Sequence, residues 1–152
     1  MIFIEQDIKG LFLIKPRPIK DVRGSFRRTF CKKDFKKKNI KFNIKQKNIS
    51  ENKFKHTLRG FHSQKSPFGE DKLITCIKGS IFDVIIDLRN NSKTRYQSLS
   101  FNLSEKNNYS LVVPKGCANA YLTLENDTKI LYYHSQFYKP GHELNIHFED
   151  PF

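Results

Sequence analysis

Two cations and a neutral base lie close together in the sequence. Arg59 and His62 occur within the stretch 58–64, and Lys72 follows ten residues after the histidine. A neutral histidine is a suitable base near pH 7, and an ammonium group can stabilise the enolate that forms when a proton beside a carbonyl is removed. The spacing therefore predicts proton abstraction from a carbonyl substrate that also carries phosphate.

Short strand-like segments separated by turns must position these side chains. Turn sequences such as Lys78-Gly79 and Pro140-Gly141 interrupt runs rich in β-branched and aromatic residues. Many short strands at regular spacing predict an all-β protein, a jelly-roll sandwich or barrel. We expect at most one or two short helices, and 32–38 is the candidate. The predicted strands are 11–14, 25–30, 58–64, 72–77, 81–88, 96–103, 110–113, 120–124 and 129–137.

The composition limits the class of protein. The 152 residues predict one domain, 1–152, with a real core. Cys31, Cys76 and Cys117 have no CxxC spacing and are predicted to be free thiols in a reducing compartment. No signal-peptide pattern opens the sequence, and no run reaches the roughly 18–20 apolar residues of a membrane span. We therefore expect a cytoplasmic protein without a membrane partner.

The formal net charge of +13 is concentrated in a lysine-rich stretch at 32–55. Such charge could serve any anionic ligand. Recognition of nucleic acid would need arginines and exposed aromatic residues in a known module, and the sequence contains no such module. We therefore predict that most of these lysines form a solvated surface and that nucleic acid is not a partner.

Alternation in the predicted strand 81–88 separates two faces. Asp83 and Asp87 share one face with isoleucines, as expected for a barrel interior that holds a polar ligand. The other face is wholly apolar, and we predict that it is buried against a sheet. Its residues are Phe82, Val84, Ile86 and Leu88.

The roles of the predicted inward carboxylates Asp83 and Asp87 have two readings. They would orient His62 or Lys72, or they would brace Arg59 or Arg89 structurally. Alternation also puts Arg59 on the face opposite His62. A local twist or bulge in strand 58–64 is therefore required if both side chains are to contact one ligand.

A series of short motifs runs in order along nearly the whole chain. They are Asp21-x-Arg23-Gly24-x-Phe26, Gln46-x-Asn48-x-Ser50, Leu58-Arg59-Gly60-x-His62-x-Gln64, Lys72-Leu73, Gly79-x-x-x-Asp83-Val84, Asp87-Leu88-Arg89, Leu103-Ser104, Val113-Pro114-x-Gly116, Leu131-Tyr132, Tyr138-x-Pro140 and Glu149-Asp150-Pro151. Together they resemble the dTDP-4-dehydrorhamnose 3,5-epimerase family, whose members are cupin-like jelly rolls that act on nucleotide-linked 4-keto-6-deoxy sugars.

The resemblance implies a homodimer that exchanges an N-terminal segment and has an active site inside each barrel. It implies that His62 is the general base and that Lys72 lies beside the keto oxygen. Tyr132 is then the general acid on the opposite sugar face, and its neighbour Tyr133 belongs to the core. We expect nearby cations to lower the pKa of Tyr132 from about 10.

The resemblance also implies a set of binding residues. Arg59 would bind the diphosphate, and Arg23 and Phe26 would contact the nucleotide in the partner subunit. No metal and no organic cofactor is expected. Further ligand-contact positions are Gln46, Asn48, Tyr138 and Glu143.

Three departures from the family pattern concern the substrate site. Asn119 stands where the family usually has a histidine, and asparagine cannot carry a proton at neutral pH. Arg28 stands where glutamate is usual. Because arginine only donates, it suits the acceptors of cytosine better than thymine, which predicts CDP rather than dTDP. The sequence stops at Phe152, where the family usually continues and supplies a carboxylate for the base, so we expect His62 to pair with Asp83 instead.

These features predict an isomerase that inverts C3, C5 or both carbons of a nucleotide-linked 4-keto-6-deoxy sugar. Asn119 keeps open a single-carbon epimerase or a 3,4-ketoisomerase of the same substrates. A catalytically inactive sugar-nucleotide binding module is the alternative from another class. A metal-dependent cupin is not favoured, because the five histidines include no HxH pair.

Overall fold

The structure is a computed structural model that describes residues 1–147 and residue 149. Asp150 and Pro151 of the last motif, and the predicted departure at Phe152, lie outside the described residues. The elements are β1 (Ile2–Glu5), β2 (Phe12–Lys15), β3 (Ile19–Asp21), β4 (Gly24–Phe26), α1 (Lys32–Lys37), β5 (Gln46–Asn52), β6 (Leu58–Gln64), β7 (Lys72–Lys78), β8 (Ser80–Asp87), β9 (Ser98–Ser104), β10 (Ser110–Val113), β11 (Cys117–Thr123), β12 (Thr128–His134) and β13 (Glu143–Asn145).

Two antiparallel sheets form a sandwich. The six-stranded sheet has the order β1-β2-β10-β7-β12-β5, and the five-stranded sheet has the order β13-β6-β11-β8-β9. Strands β3 and β4 form a separate two-stranded hairpin. The predicted all-β class is confirmed, and α1 matches the predicted short helix. In the described part of the chain, no helix has the length and apolarity that a membrane crossing requires.

The main core lies between the two sheets. Ile74 and Leu111 of the six-stranded sheet pack in one cluster with Ile81, Ile85 and Leu103 of the five-stranded sheet, and all five are fully buried. Burial of apolar surface is the main favourable contribution to folding. The core therefore fixes the separation of the two sheets, between which the polar cavity described below opens.

A second core covers the outer face of the six-stranded sheet. Phe35 of α1 and Phe42 after it pack with Leu73 and Val112, which alternate with the inward residues of β7 and β10. The ring of Phe30 lies 4.8 Å from that of Phe35. The lysine-rich stretch thus lays its phenylalanines on the sheet while its lysines stay largely exposed.

The prediction that the wholly apolar face of β8 is buried against a sheet is right only for Ile86, since Val84 and Leu88 are half-buried and Phe82 is exposed. Ile81, Asp83, Ile85 and Asp87 all have 0 % exposure and face the opposite sheet. Phe82, on the other face, is 39 % exposed. The reason is that the isoleucines of the mixed face form the interior, and alternation then turns the wholly apolar face outward.

The structure adds four strands to those predicted and shortens others. Strand β5 was not predicted because it is polar and forms the edge of its sheet; edge strands need less apolar surface than central ones. Strands β1, β3 and β13 are three or four residues long and carry little pattern. The predicted strand 25–30 ends at Phe26, and the predicted strand 129–137 ends at His134.

Candidate active site

A bulge in β6 brings Arg59 and His62 to the same side of the sheet. The partner strand β11 pairs Asn119 with His62 and Tyr121 with Arg59, so three residues of β6 span two of β11. Gly60 sits at this point with φ +118, and a Cβ on it would lie 2.5 Å from Ala120 Cα. The predicted irregularity is confirmed, and only glycine fits it.

One polar cavity of about 320 Å³ lies between the sheets. His62 on β6 and Tyr132 on β12 line opposite walls, because β6 belongs to the five-stranded sheet and β12 to the six-stranded sheet. Lys72 on β7 lines the cavity beside Tyr132. Further lining residues among those predicted from the sequence are Asn48, Arg59, Asn119, Tyr138 and Glu143.

The other predicted nucleotide contacts lie away from this cavity within the chain. Arg23 and Phe26 sit on the β3–β4 hairpin, where Phe26 is 73 % exposed. Arg28 forms an ion pair with Asp34 at 3.4 Å. Gln46 does not line the cavity either, but its Oε1 accepts a hydrogen bond at 3.1 Å from the backbone N–H of Tyr138, which does.

Lys72 is held in position by three polar partners. Its Nζ donates to the backbone carbonyl of His62 at 2.8 Å and to Asn119 Oδ1 at 2.9 Å, and it lies 3.5 Å from Glu70 Oε1. Burial lowers the pKa of Lys72, while the charges of Glu70 and Asp83 oppose that shift. The ammonium is therefore fixed in position and surrounded by groups that favour its charge.

Asp83, on β8 of the five-stranded sheet, is buried next to the cavity but does not line it. Neither carboxylate oxygen has a partner at hydrogen-bonding geometry among the described residues. Burial raises the pKa of Asp83 to about 7, although the side chain of Asn119 and the charge of Lys72 act in the other direction. Arg59 binds Asn52 Oδ1 at 2.8 Å rather than this carboxylate. Among the described residues, no hydrogen bond joins Asp83 to Arg59, and none forms the expected pairing of Asp83 with His62.

Comparison with known proteins identifies the family. The family model described as dTDP-4-dehydrorhamnose 3,5-epimerase matches residues 5–152. The chain belongs to this family. A dTDP-4-dehydrorhamnose 3,5-epimerase of Sinorhizobium fredii is 36 % identical over 151 residues, which cover 99 % of this chain and 77 % of the relative. Membership confirms the predicted family, the cupin-like fold and the isomerase class.

Solved structures of the family superpose closely on the chain. The dTDP-4-dehydrorhamnose 3,5-epimerase of Bacillus anthracis, with TDP and pyrophosphate bound, has a TM-score of 0.95 at 34 % identity and covers 98 % of this chain and 85 % of its own. A 3'-monoepimerase of Streptomyces bikiniensis, in complex with dTDP-quinovose, has a TM-score of 0.88 at 26 % identity, covering 96 % and 74 %. Both single and double epimerases therefore share this architecture.

The environment of Tyr132 differs from the expectation for an epimerase acid. Burial, the neighbouring Tyr121 and the charge of Asp83 raise the pKa of Tyr132 well above 10. The prediction that nearby cations lower this pKa is wrong, because burial raises it most and only the side chain of Asn119 acts in the other direction. Tyr133, as predicted, belongs to the core, where its ring stacks on that of Phe30 at 6.3 Å.

Two titratable residues of the epimerase cavity were not predicted from the sequence. Glu70 and His134 both line it. Glu70 lies in the loop before β7, outside every motif, and His134 lies two residues beyond Tyr132 on the same face of β12. The signal for His134 was its alternation with Tyr132, whereas no local pattern marks Glu70. Among residues 1–147 and 149, no three His, Cys, Asp or Glu side chains are grouped to hold a metal ion.

Proposed function

We propose that the protein epimerises a nucleotide-linked 4-keto-6-deoxy sugar at C3, C5 or both, with His62 as base, Lys72 as enolate stabiliser and Tyr132 as acid. One observation carries the proposal: His62 and Tyr132 line opposite walls of the same cavity. Inversion requires a base and an acid on opposite faces of the reacting carbon. Membership of the epimerase family supports the same reaction.

The proposed reaction moves one proton from the sugar to His62 and one from Tyr132 to the sugar. His62 takes the proton from C3 or C5, and the electron pair moves to the 4-keto oxygen to form an enolate. The Lys72 ammonium stabilises the oxyanion. The enolate electrons then take the phenolic proton of Tyr132 on the opposite face of the carbon. Proton exchange with water finally returns His62 to its neutral form and Tyr132 to its phenol form.

The raised pKa of Tyr132 fits the protonation state that an acid needs before it reacts. The phenol remains protonated across the physiological range, so it does not act as a base in that state. The tyrosinate left after donation is unfavourable in this buried position, which disfavours the donation step and favours the return to the phenol. The support for the acid role therefore comes from the position of Tyr132 opposite His62.

We also propose one domain over residues 1–152 and a homodimer in which the hairpin completes the partner's site. Phe26 and Arg23 project from the hairpin without lining the cavity of their own chain. In a dimer, they would contact the nucleotide while Arg59 binds the diphosphate. An arginine is well suited to phosphate because its planar fork can donate two parallel hydrogen bonds.

We favour dTDP as the nucleotide and keep CDP as the alternative. The family name and the TDP bound in the Bacillus anthracis relative support dTDP. The argument for CDP rested on Arg28, which is paired with Asp34 outside the cavity of its own chain. Isothermal titration with dTDP and CDP distinguishes the two, since tighter binding of CDP would support the role of Arg28.

The decisive experiment is solvent deuterium exchange into a dTDP-linked 4-keto-6-deoxy sugar, followed by NMR at C3 and C5. We expect label with the wild type and none above background with His62→Ala. His56→Asn is a matched control, because His56 is exposed with φ +63, a conformation that asparagine tolerates. Binding of the sugar nucleotide without exchange at either carbon would instead support an inactive binding module.

A single-carbon epimerase is the second candidate. Asn119 supports it because an amide cannot transfer a proton at neutral pH, and a 3'-monoepimerase shares the fold. The same exchange experiment tests this candidate, since label at only one of C3 and C5 would select it.

A further inference from the structure

His134 lines the cavity next to two residues of the proposed catalytic set. On the six-stranded sheet, it pairs with Lys72 of β7 on one side and with Gln46 of β5 on the other. Tyr132 is the next inward residue along β12. Side chains directly opposite in a ladder lie about 5 Å apart at Cβ. His134 therefore lies close to Lys72 and Tyr132, to which the proposed function already gives roles.

The imidazole of His134 has a fixed orientation and free hydrogen-bonding capacity. Its ring stacks on that of Tyr132 with centroids 5.8 Å apart and an interplanar angle of 20°. The side chain is half-buried and lines the cavity. Within residues 1–147 and 149, no hydrogen bond to either ring nitrogen is present. A half-buried polar group that lines a cavity and makes no hydrogen bond there is available to bind a ligand.

The charge state of His134 follows from its surroundings. Burial and the Lys72 cation lower the pKa of His134, and the Glu70 carboxylate acts in the other direction. The ring is therefore neutral near pH 7 and offers one N–H donor and one nitrogen acceptor. A hydroxyl group, which can both donate and accept, is complementary to that pair.

We propose that His134 is a further substrate-contacting residue, whose neutral imidazole hydrogen-bonds a ring hydroxyl of the 4-keto sugar. The inference rests on the proposed function and specifies part of its substrate recognition. Lys72 and Tyr132, which flank His134, are the groups expected to act on the sugar ring. Arg59, the proposed phosphate contact, binds Asn52 at the other end of β5 from Gln46. The hydroxyls at C2 and C3 are the candidates.

The test separates the polar contact of His134 from its packing. His134→Phe keeps an aromatic ring to stack on Tyr132 and removes both nitrogens, whereas His134→Asn keeps a donor and an acceptor without the ring. His56→Asn controls for replacement of an exposed histidine. The readout is kcat/KM for deuterium exchange at C5, a carbon that loss of the 2- or 3-hydroxyl leaves in place.

We expect His134→Phe to lower kcat/KM by roughly threefold to tenfold, as for one lost hydrogen bond, with His56→Asn unchanged. The parent sugar nucleotide is then compared with its 2-deoxy and 3-deoxy forms. With the wild-type enzyme, one of the two deoxy substrates should show a kcat/KM that is lower by a similar factor than that of the parent. With His134→Phe, the same deoxy substrate should show no further decrease in kcat/KM. His134→Asn should retain sensitivity to the same hydroxyl, and it serves as the second variant if His134→Phe fails to fold.

Two results would overturn the inference. One is a wild-type value of kcat/KM in His134→Phe. The other is a decrease in kcat/KM that is the same for both deoxy substrates and the same in the wild type as in the His134 variants. Exchange by the wild type in either case would leave the proposed epimerase function intact. Absence of exchange by the wild type at both C3 and C5 would instead overturn the proposed function.

Discussion

The two buried aspartates of β8 share a residue type, a face and complete burial, but they differ in their partners. Asp87 accepts hydrogen bonds from Arg89 at 2.7 and 2.8 Å and from Ser92 and Thr94 at 2.5 and 2.7 Å. Burial alone would raise the pKa of Asp87, but these bonds lower it below its ordinary value. Among the described residues, Asp83 has no partner at hydrogen-bonding distance and geometry, and burial raises its pKa to about 7 against the opposing effect of Asn119.

The difference separates a structural end of the strand from a functional end. At Asp87 every oxygen is used to hold the loop that contains Arg89. At Asp83 an unsatisfied carboxylate is retained beside the Lys72 ammonium. A pKa raised by burial next to a cavity cation fits a functional site, whereas the lowered pKa of Asp87 comes from the hydrogen bonds of a structural network. We therefore expect substitutions at the two ends to affect different properties.

The largest effect is expected for Lys72→Met at the functional end. The substitution keeps a long side chain in the buried position and removes the cation that stabilises the enolate. We expect deuterium exchange to slow by roughly a hundredfold to a thousandfold, as for loss of one oxyanion donor. Lys65→Met, at an exposed lysine outside the cavity, is the control. A rate within tenfold of the wild type would argue against the proposed role of Lys72.

Asp87→Asn tests the structural end. The substitution leaves Arg89 without its carboxylate, and we expect the free energy of unfolding to fall by about 3 kcal/mol. This value is at the lower end of the usual range because the Arg89 side chain keeps 27 % exposure. Urea denaturation measures the loss, and Asp127→Asn is the control at an exposed aspartate. An unchanged midpoint would remove the distinction between the two ends.

Asp83→Asn is expected to reverse this pattern. The amide removes a buried charge without hydrogen-bond partners, so the free energy of unfolding near pH 7 should stay constant or rise. Loss of the negative charge near Lys72 should slow exchange roughly tenfold, as for groups that support a catalytic residue. The pair of measurements is exchange rate and urea midpoint. A loss of stability without a change in rate would make Asp83 structural, like Asp87.

The smallest effect is a difference in the pH dependence of stability. Asp83 has an ordinary pKa of 3.8 when unfolded and about 7 when folded. Between about pH 4 and pH 7, the Asp83 carboxyl group therefore holds its proton in the folded state and loses it in the unfolded state. The stability that this proton contributes is lost as the pH rises through that range. The slope is at most about 1.4 kcal/mol per pH unit for one proton.

Asp87 should act with the opposite sign. Its pKa is lower when folded than when unfolded, so its contribution is present above about pH 4 and is lost as pH falls further. Urea unfolding of the wild type and both asparagine variants from pH 3 to pH 8 checks both signs. If Asp83→Asn follows the wild type between pH 4 and pH 7, the carboxylate is ionised in the folded state throughout that range.

Local patterns predicted most of the strands. Strands β6 and β10 have the predicted bounds, since their apolar residues and flanking turns are both clear. Alternation also required the bulge in β6, because Arg59 and His62 are three residues apart. The orientation of β8 could not be predicted in the same way. Which face of a strand points inward depends on the opposite sheet, and Phe82 illustrates the error.

The candidate site was predicted less evenly. Motifs marked His62, Lys72 and Tyr132, which line one cavity. Glu70 was missed because its contact with Lys72 depends on the path of a loop. The pKa of Tyr132 was misjudged because burial is a property of the whole sandwich rather than of neighbouring residues.

The exposed hairpin has a genetic consequence. If Arg23 and Phe26 contribute to the active site of the partner subunit, a chain with a substitution in the hairpin keeps its own cavity intact. The active site that becomes incomplete is that of its partner. A chain with His62 replaced has the reverse defect. Mixed dimers of the two inactive chains would then contain one complete site, so two recessive lesions in the same gene would complement each other.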